Sequence, residues 1–235
     1  MTPELTLLAL SAATIAFVHT ILGPDHYLPF IAMAKARSWS LSRTIKITIA
    51  CGVGHLLGSV ALGLLGITLG TQLSSLEWFE GVRSGLAAWL LIGFGLMYTA
   101  WGVRLAYRKR PHTHWHSHDG STHCHEHSHL KQHAHMHEAG KTSLAPWIIF
   151  VIFILGPCEP LIPLLMYPAA KESMLGVLLV TGVFGLVTVA TMTVVVMIVA
   201  LGFSTVKLGR FERFNHAFAG GAILICGLSV AFLGI

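Results

Sequence analysis

Apolar residues run through this chain in six long stretches, at about residues 5–34, 45–70, 83–105, 144–169, 174–203 and 214–235. Short polar connections separate them, except for one long polar tract between the third and the fourth. A helix needs roughly 20 mainly apolar residues to cross about 30 Å of hydrocarbon. Each stretch meets that length, so the pattern predicts six membrane-spanning helices and leaves almost nothing for a soluble domain. Two stretches carry the same interruption, Gly23-Pro24-Asp25-His26-Tyr27-Leu28-Pro29 in the first and Gly156-Pro157-Cys158-Glu159-Pro160-Leu161-Ile162 in the fourth, at an offset of 133. Gly52-Val53-Gly54-His55-Leu56 lines up with Gly182-Val183-Phe184-Gly185-Leu186 at 130, and Glu80 with Glu212 at 132. Three matches at nearly one spacing mark an internal duplication.

An odd number of spans per copy turns the second copy over relative to the first. The predicted fold class is therefore an all-α membrane protein: six transmembrane helices as two inverted three-helix repeats, each with a broken first helix. The divisions are residues 1–107 for the first repeat, 108–141 for a connecting loop and 142–235 for the second repeat. Composition agrees, since 11% charged residues is less than half the roughly 25% of soluble domains. The first stretch is not expected to be a cleaved signal, because no basic residue precedes its apolar run and His19, Asp25 and His26 lie within or beside it.

The net charge of +5 does not point to nucleic acid, because the basic residues flank spans instead of forming one face. Lys35, Arg37, Arg43, Lys46, Arg104, Arg108, Lys109, Arg110, Lys131, Lys141, Lys207, Arg210 and Arg213 fall on one side of the predicted topology, and only Arg83 and Lys171 on the other. Thirteen against two places the long loop in the cytoplasm of a cytoplasmic (inner) membrane and both termini outside. Cys51, Cys124, Cys158 and Cys226 have no paired spacing and do not read as a disulfide framework.

The candidate chemistry sits at the interruptions. Proline inside a helix removes a backbone donor and clashes with the preceding turn, so both helices are expected to break there. Paired breaks in two halves of a membrane protein point to a central binding site. Ionisable side chains at that depth cost several kcal/mol unless paired or functional, which singles out Asp25, His26 and Glu159. His19 precedes His26 by seven residues, His55 lies in the second span, and Cys158 stands opposite Asp25 in the repeat. The candidate metal ligands are thus His19, Asp25, His26, His55, Cys158 and Glu159, with Thr188, Thr191 and Met192 weaker. The polar tract adds His112, His114, His116, His118, His123, His125, His127, His129, His133, His135 and His137, eleven of the fifteen histidines. Low-complexity sequence of this kind builds no core and is expected to be a disordered metal-binding segment.

The first-span run His19-Thr20-Ile21-Leu22-Gly23-Pro24-Asp25-His26 resembles the His-x-x-x-x-Asp-His signature of nickel/cobalt transporters. The internal histidine-rich loop is similar to that of the nickel/cobalt efflux (NicO-type) and UreH-like membrane proteins. That resemblance implies nickel or cobalt as transported substrate, zinc being a further candidate. It also implies a role for the signature histidines and aspartate as ligands. Gly156-Pro157-Cys158-Glu159-Pro160 also resembles the Pro-Cys-x-x-Pro segments of the cytochrome c biogenesis thiol-disulfide carriers. The expectation is a transporter, not an enzyme, that exports divalent transition-metal cations. It has no resident cofactor; its partners are the cation, lipid and, as candidates, a second copy or a metalloenzyme-maturation protein. Alternatives are a nickel uptake permease serving an enzyme such as urease, a small-anion exporter, a thiol-disulfide electron carrier, and a membrane metallochaperone or sensor.

Overall fold

The computed structural model describes residues 3–70, 73–108, 112–118, 121–127, 144–156, 158, 160–170, 173–205 and 209–234. In chain order it forms α1 (Pro3–Leu22), a single 3-10 turn (Pro24–His26), α2 (Leu28–Ala36), α3 (Leu41–Leu69) and α4 (Leu73–Arg108). After two strands come α5 (Ala145–Leu155), α6 (Leu161–Ala170), α7 (Met174–Thr205), a 3-10 segment (Gly209–Phe214) and α8 (Asn215–Leu233).

Among the described residues five helices are long and apolar enough to cross a membrane: Pro3–Leu22, Leu41–Leu69, Ser75–Arg108, Met174–Gly202 and Phe211–Leu233. The sequence pattern predicts six. The difference lies in the fourth stretch, where the break after Leu155 leaves an 11-residue α5 and a 10-residue α6, neither long enough alone. The first stretch breaks too, but only after the 20 residues of α1. The two interruptions are therefore alike in sequence and unequal in position.

Local signals set the helix ends. Ser40 caps α3 by accepting a 3.3 Å hydrogen bond from the Arg43 amide, and Gly70 closes the same helix at φ 63°, the left-handed conformation that glycine adopts without a Cβ penalty. Pro146 stands in the first turn of α5, where a missing N–H costs nothing.

The halves interleave. α1 packs on α7 and α5 on α3; α2 packs on α8 and α6 on α4; α3 meets α7, and α4 meets α8 along much of its length. Glycines let α4 and α8 approach backbone to backbone. A Cβ on Gly95 would strike Leu224, one on Gly102 would strike Ala217, and one on Gly220 would strike Thr99, each at a backbone atom. Small residues at helix contacts serve this purpose in membranes, where dispersion replaces the hydrophobic effect between helices. Two buried clusters result, one containing Phe30, Met33, Cys51, Phe153 and Met192, the other Ala12, Cys158, Leu161, Val180 and Phe184. Leu186 and Phe232 are exposed by 73% and 72%; such outward apolar side chains suit lipid and would be a liability in water.

The histidine-rich tract departs from the expectation of a structureless loop and, with it, from a purely helical chain. β1 (His112–His118) pairs antiparallel with β2 (Ser121–His127), His114 opposite His125 and Trp115 opposite Cys124. The alternation of His with Thr, Ser and Trp has a period of two, which is the period of a strand; reading the tract by composition passes over it. Residues 128–143, with His129, His133, His135 and His137, lie outside the described residues.

The α4–α8 contact gives a direct test. Gly102→Leu is expected to destabilise the protein by about 1–3 kcal/mol or more through overpacking. Gly93→Leu on the same helix, where an added Cβ meets nothing within 4 Å, should leave stability unchanged or slightly raised. Thermal unfolding of the detergent-solubilised protein separates the two, and equal effects would refute the close approach.

Candidate functional site

α1 ends where Gly23 donates its amide to the His19 carbonyl at 2.9 Å and Pro24, which has no amide hydrogen, follows. The chain then turns tightly, with the His26 amide donating to the Gly23 carbonyl at 3.1 Å. A Cβ on Gly23 would lie 2.5 Å from His26 Nδ1 and 2.8 Å from Asp25 Oδ1. Only glycine at this position lets the carboxylate and the imidazole fold back over the turn.

His26 Nδ1 faces two acceptors, the Gly23 carbonyl at 3.2 Å and Asp25 Oδ1 at 3.1 Å. His55, from the middle of α3, places Nδ1 3.1 Å from the Phe153 carbonyl near the end of α5. In the neutral form both rings therefore carry the proton on Nδ1 and a lone pair on Nε2. A carbonyl or carboxylate on the far nitrogen is the arrangement that orients a metal-binding histidine. His19 meets His26 edge to face with ring centroids 4.8 Å apart, and His26 meets His55 in the same way at 5.3 Å. The Nε2 atoms of all three are buried and have no hydrogen-bond partner. Orphaned polar atoms at depth are costly, so these three acceptors are open to water or to a ligand.

The histidines stand in file and do not surround one point. Among the described residues no group of three or more His, Cys, Asp or Glu is arranged to hold a metal ion. Asp25, His55 and Gly156 line one cavity of about 20 Å³, room for roughly one water-sized species. Both interruptions thus meet at a single small space.

The sequence candidates divide accordingly. His19, Asp25, His26 and His55 come together. Cys158 lies at the second interruption but is fully buried in the cluster that holds Ala12, Ala16, Leu161 and Leu165, beside the file and not in it. Glu159 falls outside the described residues. Thr188 is buried with an unpartnered hydroxyl, and Met192 packs near Gly52. His112, His114, His116, His118, His123, His125 and His127 lie on the two strands.

Sequence reading missed Arg83 and Glu80. It counted Arg83 as a charge at the edge of the membrane, because the third stretch reads as starting at residue 83, whereas α4 begins at Leu73. Arg83 Nη2 lies 2.9 Å from Glu80 Oε2, donates to the Gly156 carbonyl at 3.0 Å and also bonds Ser59 Oγ. The spacing of three between acid and base was the available signal. A second missed group joins α2, α4 and α8: Arg37 Nε donates to Tyr98 Oη at 3.3 Å, and Tyr98 Oη lies 2.9 Å from His216 Nδ1.

Residues 28–229 match the family described as Cytochrome C biogenesis protein transmembrane region. No curated protein and no solved structure matches the chain. The family match corrects the resemblance to NicO-type and UreH-like nickel/cobalt transporters, and nickel and cobalt as implied substrates fall with it. The earlier resemblance rested on one eight-residue run and a low-complexity tract, whereas this match extends from the start of α2 into α8. Of the functions weighed from sequence, it favours thiol-disulfide carriage over nickel or cobalt transport. Cys51, Cys158 and Cys226 are all buried free thiols.

The tautomer assignment is testable without any cargo. In protein labelled with 15N-histidine, His55 should show an unprotonated Nε2 and a protonated Nδ1 at neutral pH. A protonated Nε2 on neutral His55 would remove the lone pair on which a ligand role depends.

Proposed function

This chain belongs to the family of cytochrome c biogenesis protein transmembrane regions, and within that family we propose that it is a carrier of a divalent transition-metal cation. The single observation behind this reading is the file of three buried imidazoles, each with an unpartnered Nε2, ending beside Asp25 at the point where the two broken helices meet. Neutral imidazole with one carboxylate suits borderline cations such as zinc or copper(II). Imidazole, carboxylate and a space of one water diameter do not suit a small oxyanion. The protein acts by moving its substrate and not by transforming it.

The exchange of partners between the halves, α1 on α7 and α5 on α3, α2 on α8 and α6 on α4, supports two inverted repeats around this site. The orientation proposed from the basic residues is strengthened by the place of Arg83. Once it is withdrawn into α4 the opposite side keeps only Lys171. The histidine-rich hairpin then faces the cytoplasm of the inner membrane, where it collects cation for export.

Family membership and the place of Cys158 favour a second reading, thiol-disulfide carriage. Exchange needs a second sulfur within reach, since bridged cysteines have Cα atoms about 4.4–6.8 Å apart. The repeat offers Asp25 at the position equivalent to Cys158, and Cys51 belongs to the other buried cluster. The relay would have to draw its second thiol from Cys226, Cys124 or an incoming partner.

Flux into proteoliposomes from a panel of zinc, copper(II), manganese and nickel distinguishes the two. Asp25→Asn is expected to lower flux by about 10–100-fold, as loss of an orienting partner of a metal-bound histidine does. His55→Ala should lower it at least as much, and Cys158→Ser should keep most of it. Absence of flux for every cation, together with a trapped mixed disulfide at Cys158, would replace cation carriage by thiol carriage.

The orientation has its own measurement. A membrane-impermeant thiol reagent applied to intact cells should leave Cys124 unlabelled, and label it once the membrane is opened. Labelling in intact cells would reverse the topology.

A further inference from the structure

The histidine file does not end at His55. Beyond it stands the end of α5, where Gly156 seats against the His55 ring: a Cβ on Gly156 would lie 3.2 Å from His55 Nδ1. The helix break there frees backbone carbonyls, and the carboxyl end of a helix carries partial negative charge. Such an end is a place for a cation, and in membrane carriers unwound carbonyls commonly take that part. Here the place is taken. Arg83 Nη2 donates to the Gly156 carbonyl at 3.0 Å, and the guanidinium belongs to the protein itself.

We propose that Arg83 is the positioning residue at the end of the histidine file, a tethered cation that fills the carboxyl end of α5 and keeps the path beyond His55 shut until it lets go of the Gly156 carbonyl while staying paired with Glu80. Two further observations fit a movable plug better than a fixed brace. One nitrogen, Nη2, has three acceptors within reach, Gly156 O, Ser59 Oγ and Glu80 Oε2. Its two hydrogens serve the Gly156 and Ser59 oxygens, and the third contact is an ion pair. The Nε–H of the same side chain is buried and has no partner. A brace built only for strength would spread its contacts over the whole guanidinium; this one leaves Nε without a protein partner and gathers its contacts on Nη2. Glu80 is 1% exposed and Arg83 15%, so the pair is shielded from water that would otherwise release it.

The inference rests on the reading that the paired breaks hold the transported species, but its test needs no cargo. Cys158, two residues beyond Gly156 and fully buried, reports on the opening. In a background of Cys51→Ser, Cys124→Ser and Cys226→Ser, the rate of alkylation of Cys158 by N-ethylmaleimide is measured in membranes. Arg83→Gln should raise that rate tenfold or more, and Arg83→Lys, which keeps a cation and a donor, should stay near the parent. Glu80→Gln should not raise it, because a guanidinium less strongly held on that side remains on the carbonyl.

The opposite signs of the two substitutions carry the test. If the pair were a structural strut only, removing either member would loosen the break alike. An unchanged rate in Arg83→Gln, or a rise in Glu80→Gln equal to that in Arg83→Gln, overturns the proposal. Should Arg83→Gln fail to accumulate in the membrane, Glu80→Gln decides alone, a faster rate refuting the plug and a rate at or below the parent upholding it. A protein that shows the predicted alkylation pattern but carries no cation keeps the plug and loses the cation, so the two failures are distinct.

Discussion

A chain that stops being helical inside hydrocarbon must satisfy every freed amide and carbonyl from within the protein, and the structure is arranged around the two places where this happens. At the first break the His19 carbonyl receives the Gly23 amide and the Gly23 carbonyl receives the His26 amide. At the second, the Phe153 carbonyl receives both the Gly156 amide and His55 Nδ1, and the Gly156 carbonyl receives Arg83. The side chains recruited for backbone repair come from helices of the first repeat. Repair of the second break therefore binds the two halves together, and it also fixes which nitrogen of His55 is left free. Structural need and candidate chemistry are met by the same hydrogen bonds.

The remaining packing combines close backbone contact with polar ties. α4 and α8 touch backbone to backbone through Gly95, Gly102 and Gly220, leaving no slack for sliding. The short segments α2, α5 and α6 pack on this pair and on α3 and α7 through apolar side chains such as Phe30, Phe153 and Leu161, and the ends of α2 and α5 add polar ties. One tie is Arg83 at the second break; another is Arg37, whose hydrogen bond to Tyr98 links the end of α2 to α4. Polar ties have alternative partners and break in steps, whereas interlocked glycine contacts do not.

Much of this was legible in the sequence. The repeated Gly-Pro phrase located both breaks, and the residue types at the first of them, with His55, identified the group that the fold assembles. Depth is carried by three-dimensional placement and was less readable. Cys158 occupies the repeat position of Asp25 but turns into the cluster around Ala12 and Leu161, because equivalence along the chain does not fix which way a side chain points after a break. Arg83 was misplaced for a different reason. A hydropathy window ends at the first charged residues it meets, and the mutual neutralisation of Glu80 and Arg83 that carries α4 past them depends on a contact. The hairpin of the histidine-rich tract escaped because composition and period give opposite readings there. Family identity was misread from a local motif, while the match that corrects it is spread over most of the chain.

The unequal positions of the breaks bear on energetics. At 1.5 Å per residue, α1 runs about 30 Å before its interruption and α5 about 16 Å before the one that faces it across the shared cavity. The central space is therefore farther, along the protein, from the end where α1 begins than from the end where α5 begins. An electric potential across a membrane does work in proportion to the share of the field a charge traverses, about 2.3 kcal/mol per elementary charge per 100 mV for the whole drop. For any charge held at such an off-centre waypoint the two parts of the crossing span about 30 and 16 Å, so membrane voltage acts roughly twice as strongly on one as on the other.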